Sequence, residues 1–122
     1  MQVPFAHESE PTLSVIGLGY IGLPTAIAFA RNGWKVTGVD VQTEVVESIN
    51  AGILPFEEEG MEEALREVLA AGTFRAQTTQ QAADVYVVAV PTPFHPDKSA
   101  DLSYIRGAAE GIGPLVKEGD LV

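Results

Sequence analysis

The chain has 122 residues, 46% of them hydrophobic, a formal net charge of −10 and no cysteine, which is enough for one domain with a real core and too little for two ordinary ones. The acidic balance excludes nucleic acid and anionic membrane surfaces as partners, because both demand basic patches. The lack of cysteine excludes disulfides and thiolate chemistry and fits a cytoplasmic chain, and no apolar run approaches the roughly 18 residues of a membrane span.

In chain order, residues 1–12 are polar, carry Pro4 and Pro11, and read as a flexible leader. Leu13, Val15 and Ile16 form an apolar entry to Gly17-Leu18-Gly19-Tyr20-Ile21-Gly22, and Ala26, Ala28 and Ala30 continue in a helical pattern of small residues. This is G-x-G-x-x-G between strand and helix, the context in which that spacing points to a dinucleotide. Gly17 permits the tight turn, Gly19 lets the backbone approach a pyrophosphate, and Gly22 lets helix and strand pack closely. Asn32-Gly33 stops the helix. Residues 34–39 read as a second strand, and Asp40 ends it, 18 positions after Gly22. An acid near that spacing holds the adenosine ribose diol and repels a 2′-phosphate, so it selects NAD over NADP. No Lys or Arg stands in residues 41–44 to receive a phosphate. A strand-end Asp can also simply cap the helix that follows it.

Thr43 is placed to cap a second helix with Val45, Val46 and Ile49 as its apolar face, ended by Ala51-Gly52. Residues 53–56 are a loop broken by Pro55, and Glu57, Glu58, Glu59, Glu62 and Glu63 make a solvated acidic stretch rather than a metal site. From Met61 a third helix carries Leu65, Val68 and Leu69, closed by Gly72. Residues 73–77 predict a short strand and residues 78–81 a capped helical turn. Residues 84–90 are the most apolar run and predict a central strand buried on both faces of a parallel sheet. That strand runs into Pro91-Thr92-Pro93-Phe94, which the topology sets beside the glycine turn. Leu102, Ile105, Ala109, Ile112 and Val116 mark a last helix, and Leu121-Val122 begin a fifth strand. The alternation predicts an α/β fold over residues 13–122, a Rossmann-like parallel sheet with helices on both faces. It is the first half of a doubly wound domain, so the chain reads as part of a longer protein.

Residues 16–26, Val39-Asp40, residues 90–94 and Asp101-Leu102-Ser103-Tyr104 resemble the N-terminal domain of the UDP-glucose/GDP-mannose dehydrogenase family. Within it, Leu23-Pro24-Thr25-Ala26 and Val90-Pro91-Thr92-Pro93-Phe94 look most like the branch acting on UDP-N-acetyl-D-mannosamine, with UDP-glucose and other nucleotide sugars as alternatives. The resemblance implies that the backbone around Gly19, Tyr20 and Ile21 holds the NAD pyrophosphate. It implies further that Asp40 holds the ribose and that Val90 and Thr92 lie beside the nicotinamide half. The implied reaction is the two-step oxidation of a UDP-sugar C6 alcohol to a carboxylate, for polysaccharide precursor synthesis, in a homo-oligomer. The family's nucleophilic cysteine and its lysine come later in the family's chain, so no catalytic residue is assigned here and the chain alone is expected to be inactive. One departure is visible: the family usually has Glu-Pro before the third helix, whereas Glu58 is followed here by Glu59. His95 reads as a surface loop residue. A stand-alone NAD-sensing domain and a hydroxyacid-type dehydrogenase share the glycines and Asp40, but a sensor does not account for residues 91–94.

Overall fold

Four parallel strands, β1 (Thr12–Ile16), β2 (Lys35–Val39), β3 (Phe74–Gln77) and β4 (Val85–Val88), lie in the order β3-β2-β1-β4 in a computed structural model. The structure describes residues 11–93, 95–97 and 99–122. The expected leader up to residue 10 and Phe94 of the proline loop lie outside the described residues. Helices α1 (Gly22–Arg31), α2 (Thr43–Asn50), α3 (Met61–Ala71) and α4 (Ser103–Ile112) complete the element order.

The register explains the layers. Leu13 lies opposite both Val36 and Val85, and Val36 opposite Phe74, so one face of the sheet carries a continuous apolar row. Leu23, Ala26 and Ile27 of α1, Val46 and Ile49 of α2, and Leu65 and Val68 of α3 bury that row. On the other face Ile16, Val39 and Tyr86 meet Ala108 and Ile112 of α4. Helices therefore cover both faces, as expected. The β2–β3 half of the second face is polar instead, with Lys35 and Arg75 exposed and Thr37 and Gln77 half-buried. Gly72 closes α3 in the left-handed conformation, φ 76, which is the reason a glycine stands there.

Four expectations need correction. The apolar run 84–90 makes only a four-residue strand, β4, last in the four-strand order; Val87 and Val88 are half-buried. On its outer side Tyr86 N–H donates to the Leu121 carbonyl at 2.7 Å and Leu121 N–H to that of Asp84 at 3.0 Å, so the expected fifth strand does begin there, in parallel. Residues 78–81 form no helical turn; Gln77 Nε2 donates to the Thr79 carbonyl at 2.7 Å and closes a bend before any helix can nucleate. Thr43 is the first residue of α2, not its cap, and no side chain at the N-cap Gln42 bonds into the helix. In α4, Ala108 and Ile112 are buried while Ile105 and Ala109 face outward. The buried face of α4 is the one that carries Ala108 and Ile112 against Ile16, Val39 and Tyr86, and Gly111 stands against Gln80, whose Cγ lies 3.1 Å from where a Cβ would stand.

Two side chains do backbone-like work in the sheet. Thr12 N–H and Oγ1 both donate to Asp84 Oδ2 at 3.0 Å, clasping the amino ends of β1 and β4. Asn50 Nδ2 donates to the Ala76 carbonyl at 2.8 Å and its Oδ1 accepts from Ala76 N–H at 3.0 Å. The edge strand β3 thus meets an amide in place of a neighbouring strand. Asn50→Ala leaves both buried groups of Ala76 without that partner and should cost about 1–3 kcal/mol. Urea unfolding should show this as a lower midpoint at unchanged slope, and an unmoved midpoint would count against the pairing. Among the described residues no helix is long and apolar enough to cross a membrane, and no acid, His or Cys cluster could hold a metal.

Candidate functional site

The carboxyl ends of β1, β2 and β4 converge on the turn from Gly17 to Gly22. Gly17 has φ 98 and its N–H donates to the Val39 carbonyl at 2.8 Å. A Cβ on Gly17 would stand 2.8 Å from the Ala89 carbonyl carbon and 3.2 Å from Val90 N, and a Cβ on Gly22 would overlap the Gly17 carbonyl. These two glycines are demanded by packing. Gly19 is different: a Cβ there meets nothing within 4 Å. Tyr20 and Ile21, both 73% exposed, continue this open rim. Helix α1 starts immediately beyond it, with no capping side chain. Leu23 N–H donates to the Gly19 carbonyl at 3.1 Å, Thr25 N–H to that of Ile21 at 3.2 Å, and Pro24 has no N–H. An incoming anion therefore meets the N–H groups of the turn itself rather than those deeper in the helix.

Asp40 lies just past β2, half-buried against this turn. Its Oδ2 accepts from Leu18 N–H at 3.1 Å and its Oδ1 from Gln42 N–H at 3.0 Å. The carboxylate is thereby tied to the glycine turn and to the start of α2 at once, serving the helix as well as the turn. Each oxygen keeps acceptor capacity for a further hydroxyl.

The third wall follows β4. Ala89 N–H still donates to the Ile16 carbonyl at 2.8 Å, which carries Val90 to the edge of the turn. Thr92 is exposed two residues on. The loop beyond folds on itself, with Asp101 N–H donating to the Pro93 carbonyl at 2.6 Å and His95 N–H to that of Ser99 at 2.7 Å. Hydrogen bonds from the Ser99 side chain and backbone hold the Asp97 carboxyl below its ordinary range, and those from Ser103 at the start of α4 do the same for Asp101. His95 is exposed, as expected of a loop residue.

The structure thus brings Gly17, Gly22, Asp40 and Val90 into one cluster, sets Gly19, Tyr20 and Ile21 on its open rim, and leaves Thr92 at its outer edge. One neighbour was not foreseen: Phe56, from the loop before α3, places its ring 4.6 Å from that of Tyr20, with the planes at 31°. Its only sequence signal is an aromatic residue in a loop too short to bury it alone. Residues 53–59 and Glu62 line a shallow groove of about 520 Å³ beside this pair. The open space at Gly19, next to a carboxylate that can take a diol, leaves room for a dinucleotide.

Comparison with known proteins agrees with this geometry. The NAD binding domain of the UDP-glucose/GDP-mannose dehydrogenase family matches residues 11–122. The UDP-N-acetyl-D-mannosamine dehydrogenase of Yersinia pestis is 48% identical over 93% of this chain, and the chain spans 27% of that protein. The NDP-N-acetyl-D-galactosaminuronic acid dehydrogenase of Ralstonia nicotianae is 46% identical over 91% of the chain, which spans 26% of it. Among solved structures, the UDP-N-acetyl-mannosamine dehydrogenase of Staphylococcus aureus superposes with a TM-score of 0.87 at 42% identity, over 90% of this chain and 27% of that one.

Proposed function

Because this chain belongs to the UDP-glucose/GDP-mannose dehydrogenase family, as its NAD-binding domain, we propose that it supplies the NAD half-site of a nucleotide-sugar 6-dehydrogenase acting on UDP-N-acetyl-D-mannosamine. The observation that carries the cofactor half of this reading is the Asp40 carboxylate fastened at 3.1 Å to Leu18 N–H inside the glycine turn. In this reading the backbone N–H groups of Gly19, Tyr20 and Ile21 hold the pyrophosphate, and Asp40 takes the adenosine ribose hydroxyls. Val90 and Thr92 border the nicotinamide half, with Gly17 and Gly22 keeping the turn tight enough to present it. NAD supplies the hydride acceptor for the two oxidations of the sugar C6 alcohol; the chain's own part is to bind and orient it. The sugar assignment is supported by residues 23–26 and 90–94 and by the names of the relatives. A nucleotide-linked N-acetylgalactosamine is the second reading, favoured by the nearly equal identity to the Ralstonia nicotianae protein. The whole enzyme is proposed to be a cytoplasmic homo-oligomer in polysaccharide precursor synthesis.

The chain by itself is expected to bind NAD and to oxidise no UDP-sugar, because it has no cysteine to carry a covalent intermediate. Incubation with NAD and UDP-N-acetyl-D-mannosamine should give no NADH absorbance above a no-protein control. Steady turnover would overturn the division of labour proposed here. The longer product of the same gene, offered the mannosamine, galactosamine and glucose nucleotides in turn, decides the sugar.

A further inference from the structure

The two ends of the glycine turn are fixed by packing, whereas its middle is held through its carbonyls: that of Gly19 accepts from Leu23 N–H at 3.1 Å, and that of Ile21 from Thr25 N–H at 3.2 Å and Thr25 Oγ1 at 2.7 Å. A Cβ at Gly19 meets no atom within 4 Å, and Tyr20 and Ile21 stand largely in solvent. A backbone that presents N–H groups in a set direction gains from each further contact that holds it, since any freedom lost on binding is subtracted from the affinity. The ring of Tyr20 leans on that of Phe56, centroids 4.6 Å apart. Phe56 is itself half-buried against the core shared by α1, α2 and α3. The route of the chain explains how it gets there. Helix α2 leads away from the carboxyl end of β2, and α3 delivers the chain to the amino end of β3. The stretch between them, residues 51–60, must therefore return across the layer, and Phe56 is where it reaches the turn.

We propose that Phe56 is a positioning residue for the phosphate turn: its ring clamps Tyr20 and so holds the N–H groups of residues 19–21 in the orientation a pyrophosphate requires. This rests on the NAD reading above. A second observation supports it. Glu57, Glu58 and Glu59 follow Phe56 directly and are exposed. Pinned by the ring pair, this loop keeps its carboxylates at a set distance from the turn; released, it would be free to bring like charge toward the phosphates.

The test is calorimetric titration of NAD into the parent chain, Tyr20→Ala, Phe56→Leu, Phe56→Tyr and the Tyr20→Ala/Phe56→Leu double variant, each checked for an unchanged far-UV spectrum. Leucine keeps apolar bulk against the core, and Tyr20 lies on the surface, so at least one single variant remains folded. Each single loss of the ring pair should weaken NAD roughly threefold to tenfold, the range of an aromatic pair. The double variant should be no weaker than the worse single one, and Phe56→Tyr should bind as the parent does. A purely structural role for Phe56 would not produce that non-additivity or that rescue. Parent-like affinity in Phe56→Leu or in Tyr20→Ala, or a double variant whose loss is the product of the two, overturns the clamp alone. A parent chain that binds no NAD overturns the cofactor reading, and the clamp with it.

Discussion

A Gly19→Val chain should fold like its parent and lose NAD affinity by a factor of at least about 100, equivalent to one or two charge-assisted hydrogen bonds to phosphate. The fold survives because Gly19 does not have a positive φ and because a Cβ there meets nothing within 4 Å. The affinity should not survive, because the isopropyl group would occupy the approach that the proposed pyrophosphate site needs. Gly22→Ala inverts the pattern. Its methyl would overlap the Gly17 carbonyl, so α1 must move off β1, at a cost of about 1–3 kcal/mol or more in stability. Thermal melting and NAD titration of both variants separate a glycine kept open for ligand from one kept small for packing. Unchanged NAD affinity in Gly19→Val would show that the pyrophosphate does not lie against this turn.

Asp40→Ala should weaken NAD by roughly tenfold or more, since each charge-assisted bond to the ribose is worth on the order of 1.5–3 kcal/mol. It should also narrow the lead of NAD over NADP, because the charge that repels a 2′-phosphate is gone. The structure adds a stability effect that the spacing alone did not announce. Leu18 N–H and Gln42 N–H both donate to this carboxylate, so Asp40→Ala leaves two backbone donors to find other partners. Asp40→Asn does not restore them, because an amide turns its NH2 toward one of the two donors. Both variants should therefore show a lowered urea midpoint as well as lowered affinity. If the parent chain bound NADP as tightly as NAD, the ribose role of Asp40 would be wrong.

What was legible in the sequence was whatever depends on backbone necessity or on long apolar periodicity. Gly17 and Gly22 announce themselves because a Cβ at either would collide with backbone, and Gly72 because its left-handed cap favours glycine. Leu65 and Val68 announce α3 because their spacing matches its buried face. Asp40 was legible through its distance from the glycines. Its double hydrogen bond was not, since nothing in spacing says which N–H groups converge on a carboxylate. The extent of β4 was overread because apolarity reports burial, not pairing: Ala89 N–H makes a last bond to the Ile16 carbonyl, and Val90 stays apolar beside the turn beyond it. The face of α4 was misjudged because spacing does not say which apolar residues meet the sheet, and Ala108 and Ile112 rather than Ile105 and Ala109 do. Asn50 and Phe56 were missed for a common reason. Each acts on a partner far along the chain, Ala76 and Tyr20, and neither residue type is marked by its neighbours for that duty.

The clasp between Thr12 and Asp84 joins residues 72 apart, whereas the bond from Leu18 to Asp40 closes a span of 22. Closure entropy grows only with the logarithm of length, so the longer closure costs about 1 kcal/mol more than the shorter one. The connecting loops between Asp40 and Asp84, outside α2, α3 and β3, can therefore lengthen or shorten with little closure penalty. Natural variation in length should concentrate there, in stretches such as residues 78–82 that spare both Asn50 and Phe56. Residues 12–40, in which the turn and its acid are built at short range, have no such latitude. One half of the cleft is a fixed unit of length, and the other is held by a clasp indifferent to how much chain it closes over.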